Sequence, residues 1–499
     1  MSRTSEQVPV GPPGSGPLGA DPGGAADAQD APPGPVGPEQ GRPRSARSGP
    51  GVHASRTPGS SRLRAGHAEW VFGASAVALV LCVVVFGSLV ALRAPVWAPV
   101  DEGAHFEYVQ YIAQHGSLPV LGKQYASLRD LKLDPTFSTR HWGTDPRKMG
   151  ILGLAYEDFQ PPLYYALAVP AYDLSGNLHT KVIILRFFDL VLLGASMLLL
   201  ARLARRVMEE RWLIGFTAGM LVLAMPGVVV RAVTVSNTSL AVLLTIAFAT
   251  VLWIARATGR ASRLVAAGVL LGLALLTNLF ALVLFPVYVL VAIGVVRRSP
   301  TRRDLVLAGG GGAIACLLVV PWLAFNLVEY HALTATSLAK SEQQATVNPH
   351  HLFYGLGFVA DKAGSWLIAP VMPQEWTLAD HPVLTWIVGL LTFAVVPLAL
   401  LLGLSMGRRV VTAGYWILVL PAALNLLMCA GITYFVQWEI ELSRYMYPTL
   451  PLLAVFGAVS AVAMVRDHRL IPVTVALLTV GMVTLWIGLV PQIHLRVAG

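Results

Sequence analysis

Two carboxylates and an imidazole lie close together just after the first long apolar run of the chain. Asp101 and Glu102 are adjacent, and His105 follows one helical turn later. On a helix, residues three or four positions apart are neighbours on one face. Carboxylates beside an imidazole can accept a proton or hold a divalent cation. The spacing therefore predicts a solvent-facing site at the membrane edge, with acid–base or metal chemistry.

Structural roles for the same residues stay open. Acids at a helix N-terminus cap the helix and compensate its dipole, and His105 could form a simple hydrogen-bonded surface pair with a carboxylate. Pro99 can open a helix and Gly116 can close one. Between them we expect an amphipathic helix that lies at the level of the lipid headgroups.

A second acid pair, Glu157 and Asp158, precedes a double proline that breaks helix and sets the direction of the chain. Gln160 stands directly before the prolines and Tyr164 shortly after them. An interfacial tyrosine anchor explains Tyr164 well and the polar residues less well. The motif is therefore a further candidate for substrate contacts.

A lone arginine, Arg444, lies with Tyr445 in a short segment before a late apolar run. Its planar guanidinium could bind a phosphate through two hydrogen bonds. It could equally pair with Glu439 or Glu441.

The composition identifies the elements that must position these residues. The 499-residue chain is 55% hydrophobic and 13% charged, against about 25% charged in soluble domains, and its mean hydropathy is +0.64. These values predict an all-α polytopic protein of the lipid bilayer. The net charge of +9 comes mainly from short arginine-rich loops, as the positive-inside rule expects, so no nucleic-acid partner is implied.

A transmembrane helix needs about 20 apolar residues, and about eleven segments meet this condition. They are 70–92, 182–201, 212–233, 240–255, 264–278, 280–296, 305–327, 383–405, 411–434, 448–465 and 470–490.

The arginine-rich loops all fall in the cytoplasm if the N-terminus is cytoplasmic and 161–172 does not cross the bilayer. Three exterior loops then remain: 93–181, 328–382 and 435–447. The first is large and is expected to hold the candidate active site and interfacial helices. The localisation expected from this pattern is a multi-pass protein of the plasma membrane with its active site on the exterior face.

Residues 1–66 are rich in proline and glycine and poor in large apolar side chains, so they are expected to form a disordered cytoplasmic tail. Six arginines and no acid lie between Arg42 and Arg64, which favours the cytoplasmic side. The transmembrane domain is expected over 67–499.

The order of the motifs resembles the GT-C superfamily of membrane glycosyltransferases. The nearest likeness is to the dolichyl-phosphate-mannose protein mannosyltransferase and aminoarabinose transferase branch, and to allied bacterial membrane families. The resemblance extends from about residue 70 to residue 490. The residues that carry it are Asp101-Glu102, His105-Phe106, Gln160-Pro161-Pro162-Leu163-Tyr164-Tyr165, Pro321-Trp322 with Asn326 and Tyr330, and Arg444-Tyr445 followed by Pro448 and Pro451.

This resemblance implies a GT-C-like fold and transfer of a sugar from a polyprenyl-phosphate donor to an exterior acceptor, which would be a glycan, a lipid or a protein. Asp101 fits the general base, with Glu102 orienting it or helping it to hold a divalent metal ion, and Arg444 fits the lipid phosphate. The residues expected to contact substrate are His105, Glu157, Asp158, Gln160, Tyr164, Arg444 and Tyr445.

Two positions depart from the family pattern. Gln160 and Asn278 stand where some relatives have a basic residue, so two possible phosphate-binding cations are missing.

Two other classes of function remain as alternatives. A transporter or flippase of lipid-linked saccharides would bury ionisable residues in its spans, where this chain has few. Arg186 and Asp189 are spaced for a mutual ion pair, and Arg231 lies near the end of another span. A non-enzymatic membrane assembly protein would use the exterior loops as a binding surface.

Overall fold

The computed structural model describes residues 58–94, 96, 101–121, 157–207, 212–223, 225–334, 359, 413–436, 443–464, 480, 481 and 486. All regular secondary structure in these ranges is helical, which confirms the all-α class. The α-helices are α1 (Pro58–Arg93), α2 (Glu102–His115), α3 (Leu163–Tyr172), α4 (Leu178–Val207), α5 (Trp212–Leu223), α6 (Pro226–Val233), α7 (Thr238–Thr258), α8 (Ser262–Leu275), α9 (Leu284–Arg298), α10 (Arg302–Tyr330), α11 (Trp416–Val436) and α12 (Leu450–Met464). Two 3-10 helices cover Leu279–Val283 and Ser443–Met446.

Within the described ranges, six helices are long and apolar enough to cross a membrane, or seven if the bent pair α5–α6 forms one span. The chain is therefore a multi-pass membrane protein. The expected spans at 383–405 and 470–490 lie largely outside the described residues, so the predicted number of eleven is not tested. Most of the predicted tail also lies outside them, and α1 already begins at Pro58.

The short segment after the double proline forms α3, which has only 10 residues. A helix of that length rises about 15 Å, half the thickness of the hydrocarbon core. This agrees with the prediction that 161–172 does not cross the bilayer.

The segment 212–233, predicted as one span, is two helices that meet at 80°. Pro226 occupies the first turn of α6, where its missing N–H costs nothing but where it could not continue a preceding helix. Because of this bend, α6 follows a different direction from α5 and carries Arg231 to the candidate site.

Helix α2 ends where the sequence predicted, with Gly116 in the left-handed region at φ 64° and its N–H bonded to the carbonyl of Ile112. The level of this helix in the bilayer stays a prediction, but its first half faces protein and not solvent. Every residue from Glu102 to Val109 is buried, because α2 packs against α3.

Candidate active site

Asp101 and Glu102 point to different partners, although they are adjacent. Asp101 is the N-cap residue of α2, yet its side chain makes no capping hydrogen bond. Its backbone lies in the left-handed region, with φ 64° and ψ 0°, a conformation that costs a residue with a Cβ about 1–2 kcal/mol. Helix capping does not explain Asp101, and its strained backbone turns the carboxylate towards other groups.

Glu102 forms a buried ion pair with Arg186 of α4. The Nε and Nη2 atoms of Arg186 donate to the two carboxylate oxygens at 2.7 Å, and both side chains are completely buried. The backbone N–H of Val235 also donates to Glu102. The prediction of a solvent-facing surface with two carboxylates is therefore wrong. Glu102 is buried with Arg186, because a buried arginine requires a paired anion.

Arg186 also closes the end of α1. Its Nη1 donates to the carbonyls of Ala91 and Ala94 at 2.9 and 2.6 Å, two groups near a helix C-terminus that lack helical partners. The predicted ion pair between Arg186 and Asp189 is wrong. Arg186 instead joins the end of α1 and the start of α2 to α4.

Asp189 accepts hydrogen bonds from Tyr164 at 2.9 Å and from Ser239 at 2.5 Å. All three side chains are buried. These bonds join α3 and α7 to α4, so the hydroxyl of Tyr164 is used to hold the helices together.

Asp101 lies between two arginines. Arg231 of α6 donates from Nη2 to Oδ2 of Asp101 at 3.3 Å, and Nη1 of Arg444 contacts the same oxygen. The predicted alternative partners Glu439 and Glu441 lie outside the described residues. Two residues distant in sequence thus bring positive charge to one carboxylate.

His105 is held between Arg231 and a tyrosine. Its Nε2 lies 3.2 Å from Nη2 of Arg231, and its Nδ1 lies 2.8 Å from the hydroxyl of Tyr165. Burial, and next the charge of Arg231, lower the pKa of His105 well below its ordinary value. Because a guanidinium only donates, Nε2 accepts from Arg231, and Nδ1–H of the neutral imidazole donates to Tyr165.

Glu157 completes a group of possible metal ligands. One donor atom each from Asp101, His105 and Glu157 lies within 4.8 Å of the others, and all three residues are buried. Gln160 donates to Glu157 at 2.8 Å, and burial raises the pKa of Glu157 to about 7. The sequence suggested Glu102 as the metal ligand beside Asp101. In the structure Glu157 takes this place, because Glu102 is engaged by Arg186.

The donor types of this group fit a divalent ion such as zinc or manganese. In the structure, however, Arg231 donates to both Asp101 and the lone pair of His105. An ion bound by the three residues would replace Arg231 at these atoms.

Asp158 belongs to a different pair, because its neighbour is Glu107 of α2. Burial, and next the charge of Glu107, raise the pKa of Asp158 well above its ordinary value, and burial raises the pKa of Glu107 to about 7. Burial and the neighbouring carboxyl group therefore favour the protonated form of Asp158. It is not among the three residues grouped as possible metal ligands.

Tyr445 contacts Arg444 and also lines a small cavity. Its ring stacks on Phe280 with centroids 4.1 Å apart and an interplanar angle of 4°, and the guanidinium of Arg444 lies 5.1 Å from the ring centroid. The cavity is lined by Tyr445, Asn278 and Asn425 among others, and its described lining includes no lysine or arginine. Asn278 therefore faces a neutral cavity.

Arg231 is the main site residue that the motifs did not identify. The available signal was an arginine within an apolar segment, which is costly and usually functional. Its direction depends on the bend before α6, and for that reason the sequence could not assign its partners. Tyr165 and Glu107 were also missed, since an aromatic and an acid near a membrane segment have ordinary structural roles.

The family model described as dolichyl-phosphate-mannose-protein mannosyltransferase matches residues 160–325. No curated protein matches the chain significantly in sequence.

Two solved structures are similar at low sequence identity. One is the crystal structure of ArnT from Cupriavidus metallidurans bound to undecaprenyl phosphate, with 17% identity, a TM-score of 0.46, and coverage of 86% of this chain and 75% of that chain. The other is an Archaeoglobus fulgidus oligosaccharyltransferase tethered to an acceptor peptide with an NVT sequon, with 14% identity, a TM-score of 0.39, and coverage of 83% and 55%.

The matched segment, residues 160–325, begins at Gln160 of the double-proline motif and includes Arg186 and Arg231. The resemblance of this chain to membrane glycosyltransferases of the GT-C superfamily is thereby confirmed.

Proposed function

We propose that the protein transfers a sugar from a polyprenyl-phosphate donor to an acceptor hydroxyl or amide at the membrane surface. The observation that carries the proposal is the group formed by the buried residues Asp101, His105, Glu157 and Arg231 together with the partly exposed Arg444. These residues come from four separate segments of the chain and combine proton acceptors with two cations. This is the chemistry that such a transfer needs.

In the proposed reaction, an acceptor oxygen or nitrogen forms a bond to the anomeric carbon of the sugar. The bond between that carbon and the phosphate oxygen breaks, and its electron pair stays on the lipid phosphate. Asp101 takes the proton of the acceptor. Arg444 stabilises the charge that develops on the phosphate, a contribution that matters most in the transition state.

Glu157 and His105 support Asp101 in this scheme. His105 is neutral and held in one tautomer by Tyr165, so it orients Arg231 and does not add positive charge beside the base. Glu157 is fixed by Gln160 and can exchange a proton near neutral pH. Glu102 has a structural role through Arg186.

A divalent metal ion is a possible cofactor, and Asp101, His105 and Glu157 are the residues that would hold it. Bound there, it would polarise an oxygen of the acceptor or of the phosphate. Dialysis against a chelator, followed by metal analysis and by an unfolding measurement with and without Mn²⁺ or Zn²⁺, tests for the ion separately from activity.

The function is tested with purified protein and a panel of polyprenyl-phosphate sugars that differ in the sugar. Release of the lipid phosphate together with labelled acceptor supports the transferase. If labelled donor crosses a sealed vesicle membrane with its sugar–phosphate bond intact, the protein is a flippase of lipid-linked saccharides.

We also propose a plasma-membrane location, with α2 on the exterior side and the turn at residue 259 in the cytoplasm, as the arginine distribution favours. Single cysteines are introduced at positions 120 and 259 in a cysteine-free background. An impermeant thiol reagent added to intact cells should label position 120 only. Labelling of position 259 with protection of 120 would reverse the orientation.

A further inference from the structure

We propose that Arg231 and Arg444 together form the binding site for the lipid phosphate, and that Asp101 occupies this site until the phosphate displaces it. Arg231 is the new member of the site. The inference rests on the proposed function for the identity of the phosphate, and it adds a second phosphate-binding residue and an order of events. Binding of the donor would release the base.

The ion pairs of Asp101 conflict with its role as a base. Arg231 and Arg444 both contact Oδ2 of Asp101. A carboxylate oxygen engaged by two guanidinium groups has its lone pairs occupied and is a poor proton acceptor. Oδ2 becomes available to act as the base when another anion takes over at least one of the arginines.

The geometry of the two arginines suits a phosphate. Each guanidinium presents N–H donors in a planar fork that matches phosphate oxygens. The donor is a phosphodiester with one negative charge, so its exchange for the Asp101 carboxylate leaves the charge beside the arginines unchanged. Arg231 and Arg444 also supply the positive charge that the neutral residues Gln160 and Asn278 do not provide.

Accessibility indicates which arginine the phosphate meets first. Arg444 keeps 14% of its side-chain surface exposed, whereas Arg231 and Asp101 keep 8% and 7%. Arg444 also rests beside the Tyr445 ring, with Nη2 3.3 Å from its hydroxyl, so it retains a contact when Asp101 leaves. Arg231 is held at Nε2 of His105 and forms the fixed inner half of the site.

The backbone of Asp101 favours its release. A residue with φ 64° and no capping hydrogen bond is kept in that conformation by its side-chain contacts, and those include the two arginines. Their transfer to a phosphate removes part of this constraint.

The test measures binding of a polyprenyl phosphate in the absence of any sugar. Undecaprenyl phosphate is titrated into the full-length protein in mixed micelles, and undecaprenol, inorganic phosphate and phosphatidylglycerol are titrated in parallel. A site that recognises the phosphate of a polyprenyl carrier binds the first ligand best. Preference for phosphatidylglycerol would assign the arginines to a bulk lipid headgroup, and tight binding of inorganic phosphate would show that the polyprenyl chain is not recognised.

Three site variants and one control variant separate exchange from simple electrostatic attraction. Arg231→Gln and Arg444→Gln should each weaken binding about tenfold or more, the usual loss for one charged hydrogen bond. Asp101→Asn should tighten binding about threefold or more, because it removes the internal competitor. Arg260→Gln removes an exposed arginine in the turn between α7 and α8. It should leave affinity unchanged.

The Asp101→Asn result decides the proposal. Unchanged or weaker binding by Asp101→Asn would overturn the exchange. Coupled residues are non-additive, so the gain in affinity from Asp101→Asn should differ when Arg231 is also changed to Gln. An equal gain with and without Arg231→Gln would also overturn the exchange. If Arg231→Gln does not fold, Arg231→Lys gives the same comparison. Transfer activity without this binding pattern would refute the exchange alone, and the binding pattern without transfer would refute the transferase alone.

Discussion

Asp101 and Glu102 are adjacent and carry the same charge, yet the two ion-pair centres that they form differ in burial and in hydrogen-bond geometry. The pair of Glu102 and Arg186 is completely buried and has two hydrogen bonds of 2.7 Å. Asp101 is held by Arg231 at 3.3 Å and by the partly exposed Arg444. The first arrangement suits a permanent connection between helices, and the second suits a pair that opens when another anion arrives.

The comparison also explains why one acidic dipeptide can serve structure and chemistry together. Glu102 fixes the start of α2 to α4, which sets the position of Asp101 and His105. A site that must hold reacting groups needs such a rigid support. The neighbouring carboxylate is then free to take part in chemistry.

The largest effect is expected on stability, from Glu102→Gln. Removal of one member of a fully buried ion pair leaves the other charge uncompensated and costs about 3–5 kcal/mol. Thermal unfolding of the purified protein should show this loss. The double variant Glu102→Gln, Arg186→Met is the matched control and should be less destabilised than Glu102→Gln. Normal stability of Glu102→Gln with lost turnover would instead place Glu102 in the catalytic group.

The next effect is expected on turnover, from Asp101→Asn. Loss of a general base typically lowers turnover about a hundredfold. Asparagine tolerates positive φ better than most residues, so the backbone of α2 is retained and stability should change less than in Glu102→Gln. Steady-state transfer and unfolding are measured on the same preparation. Near-normal transfer by Asp101→Asn would remove Asp101 from the reaction.

A smaller effect is expected from Arg444→Lys, which keeps the charge and loses the planar fork. Turnover should fall about tenfold with a smaller change in donor affinity, because the phosphate gains charge mainly in the transition state. Arg186→Lys is the counterpart in the other centre and should lower stability instead of slowing a folded enzyme. Identical consequences in both variants would abolish the distinction between the centres.

The smallest effects are expected from two adjacent tyrosines. Tyr164→Phe loses the hydrogen bond to Asp189 and should cost about 1 kcal/mol of stability, with unchanged kinetics. Tyr165→Phe loses the hydrogen bond that fixes His105 and should lower turnover severalfold. A raised KM for donor in Tyr164→Phe would restore the substrate contact that the sequence predicted for that residue.

Several elements of the molecule could be predicted from the sequence. Long apolar runs mark the spans because a bilayer requires continuous apolar helices, and Gly116 marks the end of α2 because glycine favours the left-handed region. The motifs also indicated Asp101, His105, Glu157 and Arg444 as candidate site residues, since carboxylates and imidazole can accept protons and a guanidinium can bind phosphate.

Other features could not be predicted from local sequence patterns. Spacing placed Asp101, Glu102 and His105 on one surface, but the ion pair with Arg186 of α4 gives Glu102 a different partner from the other two. Arg186 is closer to Asp189 in sequence than to Glu102. The packing of α4 between neighbouring helices nevertheless makes Glu102 its partner.

The sequence by itself determined the membrane class, the helical segments and the supply of acids and arginines, because hydrophobicity, glycine and charge act locally along the chain. The tertiary structure decided which charges meet. The bend of 80° before α6 carries Arg231 to Asp101, and the exclusion of water around α2 requires each buried charge to find a partner. Pairing depends on distances between segments far apart in the chain, which no local pattern records.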